Sequence, residues 1–81
     1  MIEFSETEKI LARFFVEREG EGILSDIRGV NFREAGILDS LDMVTLAVYV
    51  QRQFGKKLDL SDPRTLSAMA KFDSLISLIG P

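Results

Sequence analysis

The sequence predicts an all-α fold, a four-helix bundle with a long packed first loop and a short third helix. Three observations support this prediction. Apolar residues recur at helical spacing in separate segments, and most of these segments begin with a helix-capping residue. No segment alternates apolar and polar residues as a half-buried strand would. The 81 residues, 46% hydrophobic and 28% charged, have the size and composition of one domain spanning residues 1–81.

The first predicted helix covers residues 6–18. The run Ser5-Glu6-Thr7-Glu8 is a capping box, in which a serine and a glutamate three residues later satisfy free backbone N–H groups. Gly20 is placed to end this helix. The apolar face of the helix consists of Ile10, Leu11, Phe14 and Phe15.

The segment from Glu19 to Leu38 has no sustained period and contains four glycines. Its apolar content is too high for a free linker, so we expect a loop packed against the bundle, with a short turn of helix near Ser25–Ile27. Long loops of this kind in a small domain are often functional. The apolar residues of the loop are Ile23, Leu24, Ile27, Val30 and Phe32.

The second predicted helix begins at Asp39 and runs to Phe54, where Gly55 ends it. Either Asp39 or Ser40 can cap it, and Asp42 adds a favourable negative charge to its first turn. Helical steps of 100° separate two apolar faces. The inner face would contain Met43, Leu46, Ala47, Val50 and Phe54, and the opposite strip Leu41, Val44 and Val48. The strip is predicted to be a docking surface; the alternative is that the long loop covers it.

Two shorter helices complete the predicted bundle. Asp62-Pro63 is a cap followed by proline at the first helical position, so a short helix should follow. This third helix would carry Leu66, Met69 and Ala70. The last helix would carry Phe72, Leu75, Ile76 and Ile79, spaced i, i+3, i+4 and i+7.

The chain contains no histidine and no cysteine. Ser-His and Cys-His nucleophile pairs, disulfides, and thiolate or imidazole metal sites are therefore excluded. The sequence predicts neither an autonomous enzyme nor a metal centre. Any chemistry must use hydroxyls, carboxylates or a group that is added later.

The formal net charge is −3, and the ten basic residues are scattered along the chain. Nothing resembles the basic patch of a nucleic-acid-binding protein. The N-terminus lacks the pattern of a signal peptide, and no apolar run approaches the ~18–20 residues of a bilayer span. We expect a cytoplasmic monomer with protein partners, without nucleic-acid binding or membrane insertion.

The order of these features resembles that of the acyl carrier protein family, over essentially the whole chain. The run Gly36-Ile37-Leu38-Asp39-Ser40-Leu41-Asp42 contains the Asp-Ser-Leu motif near mid-chain, where the family keeps it. The resemblance implies a carrier domain over residues 1–81. It also implies that a phosphopantetheinyl transferase attaches 4′-phosphopantetheine from coenzyme A to Ser40. The thiol of this arm would hold acyl or aminoacyl cargo as a thioester and present it to loading and transferring enzymes.

The Asp-Ser-Leu tripeptide occurs twice, and its position decides between the copies. Ser40 begins a long helix, where free N–H groups and the helix dipole favour a phosphodiester. Asp73-Ser74-Leu75 has no glycine-bearing loop before it and no long helix after it, and its leucine belongs to the packing face of the last helix. We therefore assign the attachment to Ser40, with an unmodified capping serine as the alternative.

The resemblance also implies roles for residues around Ser40. Positions that match the partner contacts of the family are Asp39, Leu41, Asp42, Val44 and Val48. Positions that match the side where fatty-acid carriers shelter acyl chains are Met43, Leu46, Val50 and Phe54. Plain core packing is the stronger interpretation of this second set. Phe32 and Ile37 could close such an acyl pocket from the loop.

Two departures from the common fatty-acid type point to a specialised carrier. Two residues separate Gly36 from the motif, as in D-alanyl carriers and free-standing carriers of specialised pathways. Beyond Asp42 the second helix contains no acidic residue, whereas enzymes of fatty acid biosynthesis recognise acidic helix faces through basic patches. We expect a role in a specialised lipid or secondary-metabolite pathway. The alternative is a non-modified helical protein-interaction module.

Overall fold

The computed structural model describes residues 3–80. Its elements, in chain order, are α1 (Glu6–Glu19), a 3₁₀ helix (Glu21–Ser25), α2 (Ser40–Phe54), α3 (Pro63–Met69) and α4 (Phe72–Ile79). Within this range there is no β-strand, and a single isolated antiparallel bridge joins Asn31 to Lys71. The predicted all-α class, with four helices and a short third one, is confirmed. None of the helices in residues 3–80 is long and apolar enough to cross a membrane.

The helix boundaries follow the predicted capping residues. At the start of α1, the Ser5 hydroxyl accepts a hydrogen bond from the Glu8 N–H (3.2 Å), and the Glu8 carboxylate accepts one from the Ser5 N–H (2.8 Å). α1 continues to Glu19, one residue beyond the predicted end. Gly55 follows α2 with a φ of +68°, a left-handed conformation that favours glycine at a helix C-terminus.

The core lies between the helices and the long loop, because the four α-helices and the loop all contribute fully buried apolar side chains. None of the buried residues in the described part of the chain is polar or charged. The largest fully buried side chains are Phe15, Phe32, Phe72, Leu11, Ile27, Leu46, Met69, Leu75 and Val50.

The loop between the 3₁₀ helix and α2 is packed into this core, as predicted. Phe32 is 0% exposed and stacks on Phe15 with ring centroids 4.2 Å apart. The expected short turn near Ser25–Ile27 was misplaced, since the helical turn lies at Glu21–Ser25. The turn forms directly after Gly20, whose carbonyl accepts the Ile23 N–H (3.2 Å).

Polar contacts fasten the loop and α2 to the rest of the bundle. The Arg28 guanidinium donates hydrogen bonds to Glu8 in α1 (2.6 Å) and to Asp73 in α4 (2.8 Å). The Tyr49 hydroxyl of α2 donates to the Ile10 carbonyl of α1 (2.6 Å), and burial raises the pKa of this phenol. The Arg28 contacts tie the loop to α1 and α4, and the Tyr49 contact ties α2 to α1.

Candidate functional site

The site begins with a capping box at the start of α2. Asp39 is the N-cap, and its carboxylate accepts a hydrogen bond from the Asp42 N–H (2.8 Å). The Asp42 carboxylate accepts one from the Asp39 N–H in return (3.0 Å). Of the two capping residues that the sequence allowed, the structure therefore selects Asp39. The cap leaves Ser40 as the first residue of the helix.

Asp42 is also engaged by α1. The hydrogen bond from the Asp39 N–H and the nearby Arg18 guanidinium both lower the pKa of the Asp42 carboxyl. Arg18 donates a hydrogen bond to Asp42 and lies over the Phe14 ring, 5.4 Å from its centroid. The Asp42 side chain is only 20% exposed. Its negative charge is thus largely offset by Arg18 within the molecule. A contact between Asp42 and partner enzymes stays a prediction.

Ser40 is exposed at the first position of α2. The side-chain hydrogen bonds of this helix start run between Asp39 and Asp42, and the Ser40 hydroxyl takes part in none of those found in residues 3–80. The first N–H groups of a helix have no intrahelical acceptor and favour an anion nearby. The Ser40 hydroxyl is accordingly accessible and lies where a phosphate group would be stabilised.

Ser74, the serine of the second Asp-Ser-Leu copy, has a different environment. Its hydroxyl donates to the Ala68 carbonyl (2.6 Å) and also lies within hydrogen-bond distance of the Lys71 carbonyl (3.2 Å). Leu75 is 0% exposed in the core, and Asp73 pairs with Arg28. The side chains of the second copy therefore join α3, α4 and the loop.

A groove of about 190 Å³ lies directly beside Ser40. An apolar cavity of ~150 Å³ is large enough to hold benzene, so this groove has room for a small apolar group. It shares Arg33 and Leu66 with a wider cleft of about 470 Å³ between the loop and α3. The groove, which we call the serine groove, is lined by Arg33, Ser40, Met43, Val44, Leu60 and Leu66.

The outer strip of α2 is exposed, as the helical spacing predicted. Leu41 is 78% exposed, Val44 49% and Val48 44%. The alternative in which the long loop covers the strip is wrong, because the loop packs its apolar side chains into the core instead. Val44 also lines the serine groove, so the strip and the groove meet at this residue.

The predicted acyl-pocket residues fall in different places. Met43 is buried and lines the serine groove, whereas Leu46 and Val50 are 0% exposed in the packed core. Phe54, in the last turn of α2, packs against the core from its edge. In the loop, Phe32 is a core residue and Ile37 packs against the core.

Sequence reasoning missed three residues of the groove: Arg33, Leu60 and Leu66. Leu66 was expected only as a packing residue of the third helix. Arg33 had no signal except that it is one of few bases in an acidic half of the chain. These residues approach Ser40 only through the tertiary fold, so no local pattern could group them.

The family model described as "Phosphopantetheine attachment site" matches residues 21–72, which is more than half of the chain. The matched range contains the 3₁₀ helix, the loop, α2 and α3, with Ser40 inside it and Ser74 outside it. No curated protein and no solved structure matches the chain significantly. Family membership implies a covalently attached 4′-phosphopantetheine, and carrier domains of this kind interact with a phosphopantetheinyl transferase and with acyl-handling enzymes. The chain belongs to the phosphopantetheine-attachment family, in accordance with its acyl-carrier-like all-α fold.

Proposed function

We propose that the chain is an acyl carrier protein that holds acyl or aminoacyl groups on a 4′-phosphopantetheine arm attached to Ser40. The observation that carries this proposal is the exposed, unengaged hydroxyl of Ser40 at the start of α2, inside the matched range 21–72. When bound, the arm supplies the thiol that the sequence lacks, and cargo is held there as a thioester. The chain itself contributes attachment, positioning and recognition rather than catalysis.

The residues around Ser40 fit such an arm. The N–H groups at the start of α2 stabilise an anion, and the serine groove offers an apolar surface next to the hydroxyl. Asp39 holds the helix start in place through the capping box. These features support attachment at Ser40 and give no comparable support to Ser74, whose hydroxyl is already bonded to the Ala68 carbonyl.

The exposed face of α2 supports a specialised pathway over general fatty acid biosynthesis. Its outer strip is apolar, and Asp42, the one acidic residue of the helix, is paired with Arg18. A basic enzyme surface would find little to pair with on this helix, because charge complementarity needs accessible acids. We expect partners that present an apolar contact to Leu41, Val44 and Val48.

The close packing of the core behind Met43 favours a small cargo, such as a short acyl or an aminoacyl group. Leu46 and Val50 fill the core behind Met43, so a longer chain would have to displace packed side chains. A monomeric state and a cytoplasmic location stay predictions from the sequence.

Intact-mass analysis after incubation with coenzyme A and a broad-specificity phosphopantetheinyl transferase tests the attachment. The wild type should gain the mass of one arm. Ser74→Ala, the matched control in the same tripeptide, should gain it as well, and Ser40→Ala should not. Lack of any mass gain with several transferases would favour the non-modified interaction module.

A further inference from the structure

The loop before α2 folds back so that Arg33 and Ser40 border the same groove. The Phe32 carbonyl accepts hydrogen bonds from the N–H groups of both Ile37 (2.8 Å) and Leu38 (3.0 Å), which closes the loop on itself. The Phe32 N–H donates to the Ala70 carbonyl (2.7 Å), and the Phe32 ring is fully buried. Arg33 follows this anchored residue directly, so its backbone is held at the edge of the groove.

The Arg33 side chain is exposed and has no ion-pair partner in residues 3–80. The ion pairs found there use Arg18, Arg28 and Arg64. Arg33 is bonded through its backbone, with its N–H donating to the Asn31 side chain (3.1 Å). Its guanidinium is therefore available to an external or attached anion.

The start of α2 carries negative charges that a nearby cation would offset. Asp39 and Asp42 both place carboxylates beside Ser40, and Arg18 pairs with Asp42 alone. A phosphodiester on Ser40 would add a further negative charge at this point. The lining of the groove contains one charged side chain, that of Arg33, and a guanidinium binds phosphate oxygens through paired N–H donors.

We propose that Arg33 binds the phosphodiester of the arm and directs the pantetheine into the serine groove, towards Leu60 and Leu66. This inference rests on the proposed attachment at Ser40. Arg33 thereby has a cofactor-binding role. This role differs from partner recognition, because the contact between Arg33 and the phosphodiester forms in the loaded protein without any partner enzyme. The arm would then occupy the groove between visits to partner enzymes.

Backbone amide NMR spectra of the loaded and unloaded protein test this contact without any enzyme activity. In the wild type, loading should shift the amide signals of Leu60 and Leu66 as well as those next to Ser40. In Arg33→Gln, the shifts at Leu60 and Leu66 should be lost. Arg52→Gln is the matched control, since it removes the same charge about 18 Å along α2 from Ser40, and it should behave as the wild type.

The outcomes separate this inference from the proposed function. A wild type that gains no mass refutes attachment at Ser40 and the inference with it. If Arg33→Gln is loaded and keeps the shifts at Leu60 and Leu66, the role of Arg33 alone is refuted. If the transferase does not load Arg33→Gln, the loaded wild type is measured at about 1 M salt, where the screening length is ~3 Å. The salt should reduce the amide shifts at Leu60 and Leu66. Unchanged shifts would overturn the contact between Arg33 and the phosphodiester.

Discussion

Replacing valine with threonine, separately at Val48 and at Val50, tests which side of α2 faces the core and which faces solvent. Val48 and Val50 lie on the same helix, yet Val48 is 44% exposed and Val50 is 0% exposed. Threonine replaces one methyl group of valine with a hydroxyl and keeps the side-chain shape. The substitution therefore changes polarity at both positions while leaving the packed volume nearly the same.

The expected effects differ because only one hydroxyl would be buried. Burying a hydroxyl without a full hydrogen-bond partner costs about 1–3 kcal/mol in proteins. For a domain of this size, each 1 kcal/mol shifts Tm by roughly 4–8 °C. Val50→Thr should thus lower Tm by about 4–24 °C. The hydroxyl of Val48→Thr stays in contact with water, so its effect should remain within about 0.5 kcal/mol.

Thermal melts followed by circular dichroism measure both variants, and transferase kinetics then test docking. Val48→Glu places a carboxylate on the outer strip, so kcat/KM for loading should fall at least about tenfold, equivalent to ~1.4 kcal/mol. Gln51→Glu, which adds the same charge beside the strip, should have a small effect. Equal Tm losses for both threonine variants would place Val48 in the core. Unchanged loading of Val48→Glu would refute a docking role.

Two further predictions concern carboxylates that hold the helix starts. Asp39→Ala removes the acceptor of the Asp42 N–H and should cost about 0.5–2 kcal/mol in urea unfolding, whereas Asp39→Asn should retain most of the cap; identical midpoints for the two variants would contradict this. The hydrogen bond from the Ser5 N–H, and then Arg28, lower the pKa of Glu8. The ionised Glu8 carboxylate therefore stabilises the fold fully above the unfolded pKa of ~4.3. This stabilisation is lost as pH falls through the lowered pKa of the folded state. Glu8→Gln should therefore lose less stability than the wild type between neutral and acidic pH, and parallel losses would contradict this assignment.

Features that depend on near neighbours in the chain could be read from the sequence. The capping boxes at Ser5 and Asp39 join residues three apart. The two faces of α2 follow from the helical repeat alone, because every third or fourth side chain points the same way. The helix bounds and the exposed strip therefore agree closely with the prediction. The position of the 3₁₀ helix was predicted wrongly, because its segment has no hydrophobic period that indicates where a helical turn begins.

Features that join distant segments required the fold. The groove brings Arg33, Ser40 and Leu66 together, and these residues meet because Phe32 is buried and bonded to Ala70. The different environments of the two Asp-Ser-Leu serines have the same origin. The burial of apolar side chains determines which segments come into contact, and it depends on the packing of the whole core. The position of the motif thus predicts Ser40 as the attachment point, whereas tertiary packing determines that its hydroxyl is unengaged and that Arg33 borders the same groove.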